Sequence, residues 1–397
     1  MPFAGLSTTT RPAEDCEKSY KFVQTYQLPF GIQNAWKQPT AKSYVEQLIS
    51  EAPSIKNDLG GKLAVVTGVT IGGAGYHAAE ELALQVGMHV VLLGRTEAKL
   101  QAAIDSIKAE ANKRKIDIEP TLFRAKYDLD DLASAKTAAE YVTKLVKDKY
   151  DGKLHVLLNN AGVVSAQPRL TKDGIEANVG RNFITVHYLT ELLLPVLKAA
   201  ATSGHKPRIV DVASISHIFG ADFDPARFVD HPKQGGAPPG HVEESNDGTS
   251  ISFPKDPLMD GAKNMYGRAK MAVVAANLHM QLKHPDLNFV CLHPGSIASN
   301  FGADMGVAAK IYYYGFYLFQ YTASQGAVAE LRPCLDPDFN TAPDLQGAYL
   351  HCDGNPWVPY GPIGTINPDT DEPYTMEEFG MATVEAADKL IEEKMKA

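Results

Sequence analysis

The sequence predicts an α/β protein: one doubly wound domain on a parallel seven-stranded sheet, with an N-terminal arm and a C-terminal tail. Three observations predict it. Short apolar runs rich in β-branched residues alternate with helical stretches, the rhythm of βαβ units. The runs are almost continuously apolar rather than alternating, as strands covered on both faces require. A glycine-rich turn follows the first run at once and opens a helix, the order found where an α/β sheet binds a phosphate-bearing ligand.

Residues 1–58 are polar, with scattered aromatics and prolines, and read as an N-terminal extension holding one short helix near Ala41–Glu51. The first strand is 62–67 (KLAVVT), stopped by Gly68. Apolar residues at helical spacing then mark a helix over 76–86, and 89–93 (HVVLL) returns to strand. The same alternation places helix 97–114, strand 120–125, helix 132–147 and strand 154–158. It continues with helix 182–200, strand 208–213, helix 265–283, strand 288–293 and a last strand at 347–351. The doubly wound domain is accordingly set at 59–355, followed by a C-terminal extension at 356–397 that ends in an amphipathic helix, Met376–Lys396. Segment 221–263 breaks the rhythm with six prolines and reads as an insertion. So does 310–321 (KIYYYGFYLFQY), a dense aromatic cluster.

Composition narrows the function. The 397 residues include 38 Lys+Arg and 47 Asp+Glu, a formal net charge of −9, which argues against nucleic acid as the main partner. The four cysteines form no CxxC pair, so neither a zinc site nor a disulfide framework is indicated. A reducing, cytoplasmic setting is the simplest expectation, with organellar import as the alternative. No apolar run approaches the roughly 20 residues of a membrane span. His217, His231 and His241 are scattered and read as surface residues, so no metal is expected.

The glycine cluster, Gly68, Gly72, Gly73 and Gly75 with Thr70 among them, lets the backbone approach a pyrophosphate at a helix N-terminus. At the end of the second strand stands Arg95, where an acidic residue would hold a ribose 2′-hydroxyl. Arg95 suits a 2′-phosphate instead, which favours NADP(H) over NAD(H); a solvated surface arginine is the other reading.

Further along, residues accumulate into a resemblance. Asn159-Asn160-Ala161-Gly162 follows the fourth strand, Asn182 lies in the next helix, and Ser214 ends the fifth strand. Tyr266 and Lys270 form YxxxK, and Pro294-Gly295 follows the sixth strand. In this order the motifs resemble the short-chain dehydrogenase/reductase superfamily, over roughly residues 60–355. Leu170 through Glu176, Arg208 through His217, and Gln325-Gly326-Ala327 resemble its retinol-dehydrogenase and WW-domain-oxidoreductase branch. The resemblance implies a Rossmann fold and hydride transfer between NADP(H) and an alcohol or carbonyl. It assigns Tyr266 as acid/base, Lys270 as its activator and ribose contact, Ser214 as substrate orienter and Asn182 as proton-relay anchor. The physical reading agrees: a cation one helical turn from a phenol favours the phenolate. For the cofactor it implies Gly68, Thr70, Gly73, Gly75, Asn160, Ala161, Gly162, Pro294, Gly295 and Ser299. It also implies Asp128 against the adenine, for which a helix N-cap is the alternative.

Two departures stand out. Gly75 follows Gly68 by seven residues, so the turn is one residue longer than the family's G-x-x-x-G-x-G. Ser214 and Tyr266 are 52 positions apart, which sets the insertion 221–263 beside the site. Residues 303–324 fall where the family carries its substrate lid. Aromatics there suit a bulky, apolar carbonyl or alcohol substrate; core packing and peripheral membrane contact are the other readings. The resemblance also implies homodimers through the helices carrying Asn182 and Tyr266. A non-catalytic cofactor-binding scaffold, and an epimerase or dehydratase on the same fold, are the rival functions.

Overall fold

The computed structural model describes residues 38–116, 120–165, 169–202, 204–220, 243–244, 251–252, 261–297, 320–352, 356–357, 359, 366–367 and 369–396. The glycine turn, the YxxxK helix and every expected strand lie within these. Ser299, most of the insertion 221–263 and residues 303–319 of the expected lid lie outside them.

The sheet contains β1 (Leu63–Thr67), β2 (His89–Gly94), β3 (Leu122–Lys126), β4 (Val156–Asn159), β5 (Arg208–Val212), β6 (Asn288–Leu292), β7 (Tyr349–Leu350) and β8 (Pro356–Trp357). Their spatial order is β8-β7-β6-β5-β4-β1-β2-β3. Seven strands run parallel, as the sequence predicts. The eighth, β8, is an antiparallel two-residue edge that the sequence reading places in the C-terminal extension. Strand order reverses between β1 and β4, the switch point at which open α/β sheets bind ligands.

Side chains alternate across the sheet. Val65, Val91, Leu157 and Ile209 face one side, and Ala64, Val66, Leu158 and Val210 face the other. Helices cover both. On the first side lie α4 (Leu132–Lys149), α5 (Thr185–Lys198), α6 (Gly261–Lys283) and α8 (Met376–Lys396). On the second lie α1 (Ala41–Glu51), α2 (Ala74–Glu81), α3 (Glu97–Lys113) and α7 (Ala323–Leu335). Local chemistry fixes their ends. Thr40 and Ser43 form a capping box at α1, Thr322 and Gln325 another at α7, and Asp131 caps α4 by accepting from Ser134 N. A π-helical turn, Leu82–Val86, ends the first glycine-turn helix, and Gly87 closes it at φ 79°.

The C-terminal helix is part of the core. Phe379, Val384, Ala387 and Ile391 pack into the cluster shared by α5 and α6. Gly380 permits the close approach, because a Cβ there would lie 2.3 Å from Ala275 O. The apolar stripe that marks this segment in the sequence needs a surface to bury it, and α6 supplies that surface. A homodimer through α5 and α6 would therefore have to displace α8 or use another face.

Candidate active site

The switch point joins two turns. Asn160 Nδ2 donates to Thr67 O at 2.7 Å, and Ala161 N donates to Thr67 Oγ1 at 2.9 Å. Gly68 holds φ +74°, and a Cβ on it would lie 2.7 Å from Ala161 Cα. A Cβ on Gly75 would lie 2.3 Å from Asn160 Nδ2. Both glycines are thus required by the chain's own packing, before any ligand enters. The longer turn bulges outward: Ile71 is 50% exposed, and a Cβ on Gly72 would meet nothing within 4 Å. Gly73 N donates to Thr70 O at 2.9 Å, and Gly73 begins α2 without a capping side chain. The first amides of α2 are therefore left for a ligand, and this cradle fits a dinucleotide pyrophosphate.

Arg95 is exposed at the end of β2 and makes no ion pair among the described residues. Asp128 stands past β3, where its Oδ1 accepts from Asp130 N at 3.2 Å. The cap of α4 is Asp131, so Asp128 has no capping duty.

The four residues expected to form a catalytic constellation come from three elements. Asn182 sits in a π-helical turn, Gly180–Ile184, that leads into α5. Its Oδ1 accepts from Val163 N at 3.0 Å, and its Nδ2 donates to Val163 O at 2.7 Å. Tyr266 and Lys270 share one face of α6, with Lys270 Nζ 5.6 Å from the centre of the Tyr266 ring. Lys270 Nζ donates to Val212 O at 2.6 Å, two residues before Ser214. A Cβ on Gly162 would lie 3.0 Å from Asn182 Oδ1 and 3.4 Å from Lys270 Nζ, so these three positions converge. Burial pushes the Lys270 ammonium down to about 8, and the charge of Asp211 pulls it back up. Ser214 is fixed from both sides: Oγ accepts from Ser216 N at 3.1 Å, and its carbonyl accepts from His217 Nδ1 at 2.7 Å. Such an arrangement can hold a proton donor and a cation beside one substrate oxygen.

Across the site, Gly295 holds φ +88° with Pro294 before it. A Cβ on Gly295 would lie 2.3 Å from the ring of Tyr321, the last residue of the aromatic cluster. Ser299 and aromatics 311–319 lie outside the described residues.

Three residues escaped the sequence reading. His217 is fully buried rather than on the surface, and it packs edge-on against Tyr349. Burial pushes it down to about 4, and its bond to the Ser214 carbonyl opposes that, so it is neutral at neutral pH. Asp211 and Asn277 form a polar pair under Lys270. A carboxylate inside the otherwise apolar run 209–213 was the available signal.

Comparison with known proteins agrees with this geometry. The family described as "short chain dehydrogenase" matches residues 62–222. An uncharacterised oxidoreductase of Schizosaccharomyces pombe is 31% identical over 328 residues, 80% of this chain and 84% of that protein. The chain belongs to the short-chain dehydrogenase/reductase family. It is accordingly an oxidoreductase of alcohol and carbonyl groups in a small-molecule substrate, in a family that binds a nicotinamide cofactor. The polyprenol dehydrogenase of Homo sapiens is 37% identical over 156 residues, and that match spans 39% of this chain and 43% of the other. Among solved structures, that of an uncharacterised protein from Mycobacterium paratuberculosis shares the fold, at TM-score 0.52 and 21% identity over 86% of this chain and 97% of that one. No helix among the described residues is long and apolar enough to cross a membrane.

Proposed function

We propose that the protein is an NADP(H)-dependent oxidoreductase that interconverts a bulky, apolar ketone or aldehyde and its alcohol. The observation that carries this reading is the buried Lys270 ammonium stacked over the Tyr266 ring and tethered beside Ser214. A phenol near a fixed cation gives up and regains its proton more readily than a free phenol. Tyr266 is then the acid/base, donating its proton to the carbonyl oxygen in reduction and taking it back in oxidation. Ser214 orients that oxygen, and its fixed turn limits the geometries it can offer. Asn182 anchors the relay that returns the proton to solvent.

The nicotinamide, when bound, supplies the hydride. Gly68, Thr70, Gly73 and Gly75 would receive its pyrophosphate, Asp128 its adenine, and Asn160, Ala161, Gly162, Pro294, Gly295, Ser299 and Lys270 its nicotinamide half. Arg95 would face a 2′-phosphate, and its exposure without an ion-pair partner among the described residues supports that assignment. The catalytic domain in this reading is 59–355. Similarity to a polyprenol dehydrogenase supports a long apolar substrate. Cys291 and Cys334 are buried free thiols, which suits the cytoplasm.

The test is turnover on a panel of apolar ketones, aldehydes and prenyl alcohols with each cofactor. NADPH should exceed NADH in kcat/KM, and Arg95→Ala should lower the NADPH value by about tenfold or more while sparing NADH. Equal use of both cofactors by wild type would overturn the NADP(H) assignment. Tight cofactor binding without turnover on any substrate would favour the scaffold.

A further inference from the structure

Beneath the site, β5 carries a carboxylate that the proposed chemistry does not use. Asp211 Oδ1 accepts from Asn159 Nδ2 at 2.8 Å, and Oδ2 accepts from Asn277 Nδ2 at 3.0 Å. Asn159 Nδ2 also donates to Thr190 Oγ1 at 3.0 Å, which fixes the first amide. Both Asp211 oxygens are engaged as acceptors, the pattern of an ionised carboxylate.

We propose that Asp211 is a positioning residue for Lys270, the counter-charge that keeps the lysine protonated while the Val212 carbonyl tethers it beside Tyr266. The proposal rests on the reading of Lys270 as the cation that activates Tyr266.

Geometry brings the two near each other without a direct salt bridge. Asp211 precedes Val212, whose carbonyl accepts from Lys270 Nζ at 2.6 Å. Ile209 and Val210 belong to the clusters on opposite faces of the sheet, so Asp211 shares the face of Ile209, the one covered by α5 and α6. Four titratable groups on four elements face it: Tyr127 just past β3, His187 on α5, Lys270 on α6 and Cys291 on β6. The phenol and the thiol are neutral, both pushed up chiefly by burial. His187 is held by Asp388 of α8, Nε2 to Oδ1 at 2.8 Å. Lys270 has no carboxylate in salt-bridge contact among the described residues, and Asp211 is the charge that holds its proton on. Asp211 itself is pushed up by burial and held down by the two amides, His187 and Lys270.

The sign of the effect follows. In the proposed chemistry, alcohol oxidation needs the Tyr266 phenolate together with the Lys270 ammonium. Removing a nearby negative charge makes the ammonium lose its proton at lower pH. The experiment is the pH–rate profile of alcohol oxidation with saturating cofactor, for wild type and Asp211→Asn. The asparagine is nearly isosteric and keeps an acceptor for one amide. The alkaline limb should move to lower pH by about 1 unit or more, and the plateau should fall by about tenfold. In a Lys270→Met background the same change should have no further effect on residual turnover. Should the asparagine variant not fold, Asp211→Ser, smaller and equally uncharged, must move the limb the same way. An equal loss at every pH with the limb unmoved would overturn the proposal. Full turnover in Lys270→Met alone would instead overturn the reading of the lysine, a separate result.

Discussion

Two carboxyl groups, half-buried Asp211 and buried Glu330, lie on opposite faces of the sheet, and their surroundings differ. Asp211 faces α5 and α6, where two amides bond it and a lysine and a histidine feel its charge. Glu330, on α7, is 1% exposed among apolar residues of the other face, and neither of its oxygens has a hydrogen-bond partner among the described residues. Burial pushes Glu330 up to about 8, so it is mostly neutral at neutral pH. The comparison shows that burial alone does not set a charge state. Where donors converge, they oppose the upward push of burial on a carboxyl group; where they are missing, burial leaves a protonated acid.

The largest expected break in this comparison is Lys270→Met. It should cut turnover by about 10²- to 10⁴-fold, while Glu330→Gln leaves steady-state kinetics unchanged. A comparable loss in both variants would mean that general disruption of the interior explains the effect. The smaller expectation concerns stability. The pKa of Glu330 is raised above its unfolded value, so its contribution is fully present below about pH 4.5 and is lost as pH rises to about 8. Glu330→Gln removes that loss. Its stability relative to wild type should therefore grow between pH 5 and 8, by on the order of 4 kcal/mol at most, and then level off. Chemical denaturation across that range checks it; a constant difference would show that Glu330 finds a partner in solution.

Much of this was legible in the sequence. Strand runs such as 62–67 and 89–93 are apolar throughout because both faces are covered, and their ends agree with β1 and β2 to within one residue. YxxxK was readable because i and i+4 share a helix face whatever surrounds it. The glycine turn was readable as a turn, but its cause was only half visible. Gly68 and Gly75 also make room for Asn160 and Ala161, about ninety residues further on. The charge of Asp211 was readable in its strand, but the partners of the support beneath the site were not. Asp211 meets Asn159 and Asn277 across 52 and 66 positions, and His187 meets Asp388 across 201. Such pairs leave no period in the sequence. The docking of α8 on α6 depends likewise on one close approach at Gly380.

The central claim is that Tyr266 moves the proton. The most direct measurement is single-turnover oxidation of bound NADPH by the best ketone of the panel, for wild type and Tyr266→Phe, with cofactor affinity measured alongside. Phenylalanine keeps the ring against Lys270 and removes only the hydroxyl. The account predicts unchanged cofactor affinity and a rate lower by about 10²-fold or more. A Tyr266→Phe enzyme that turns over at the wild-type rate would contradict it.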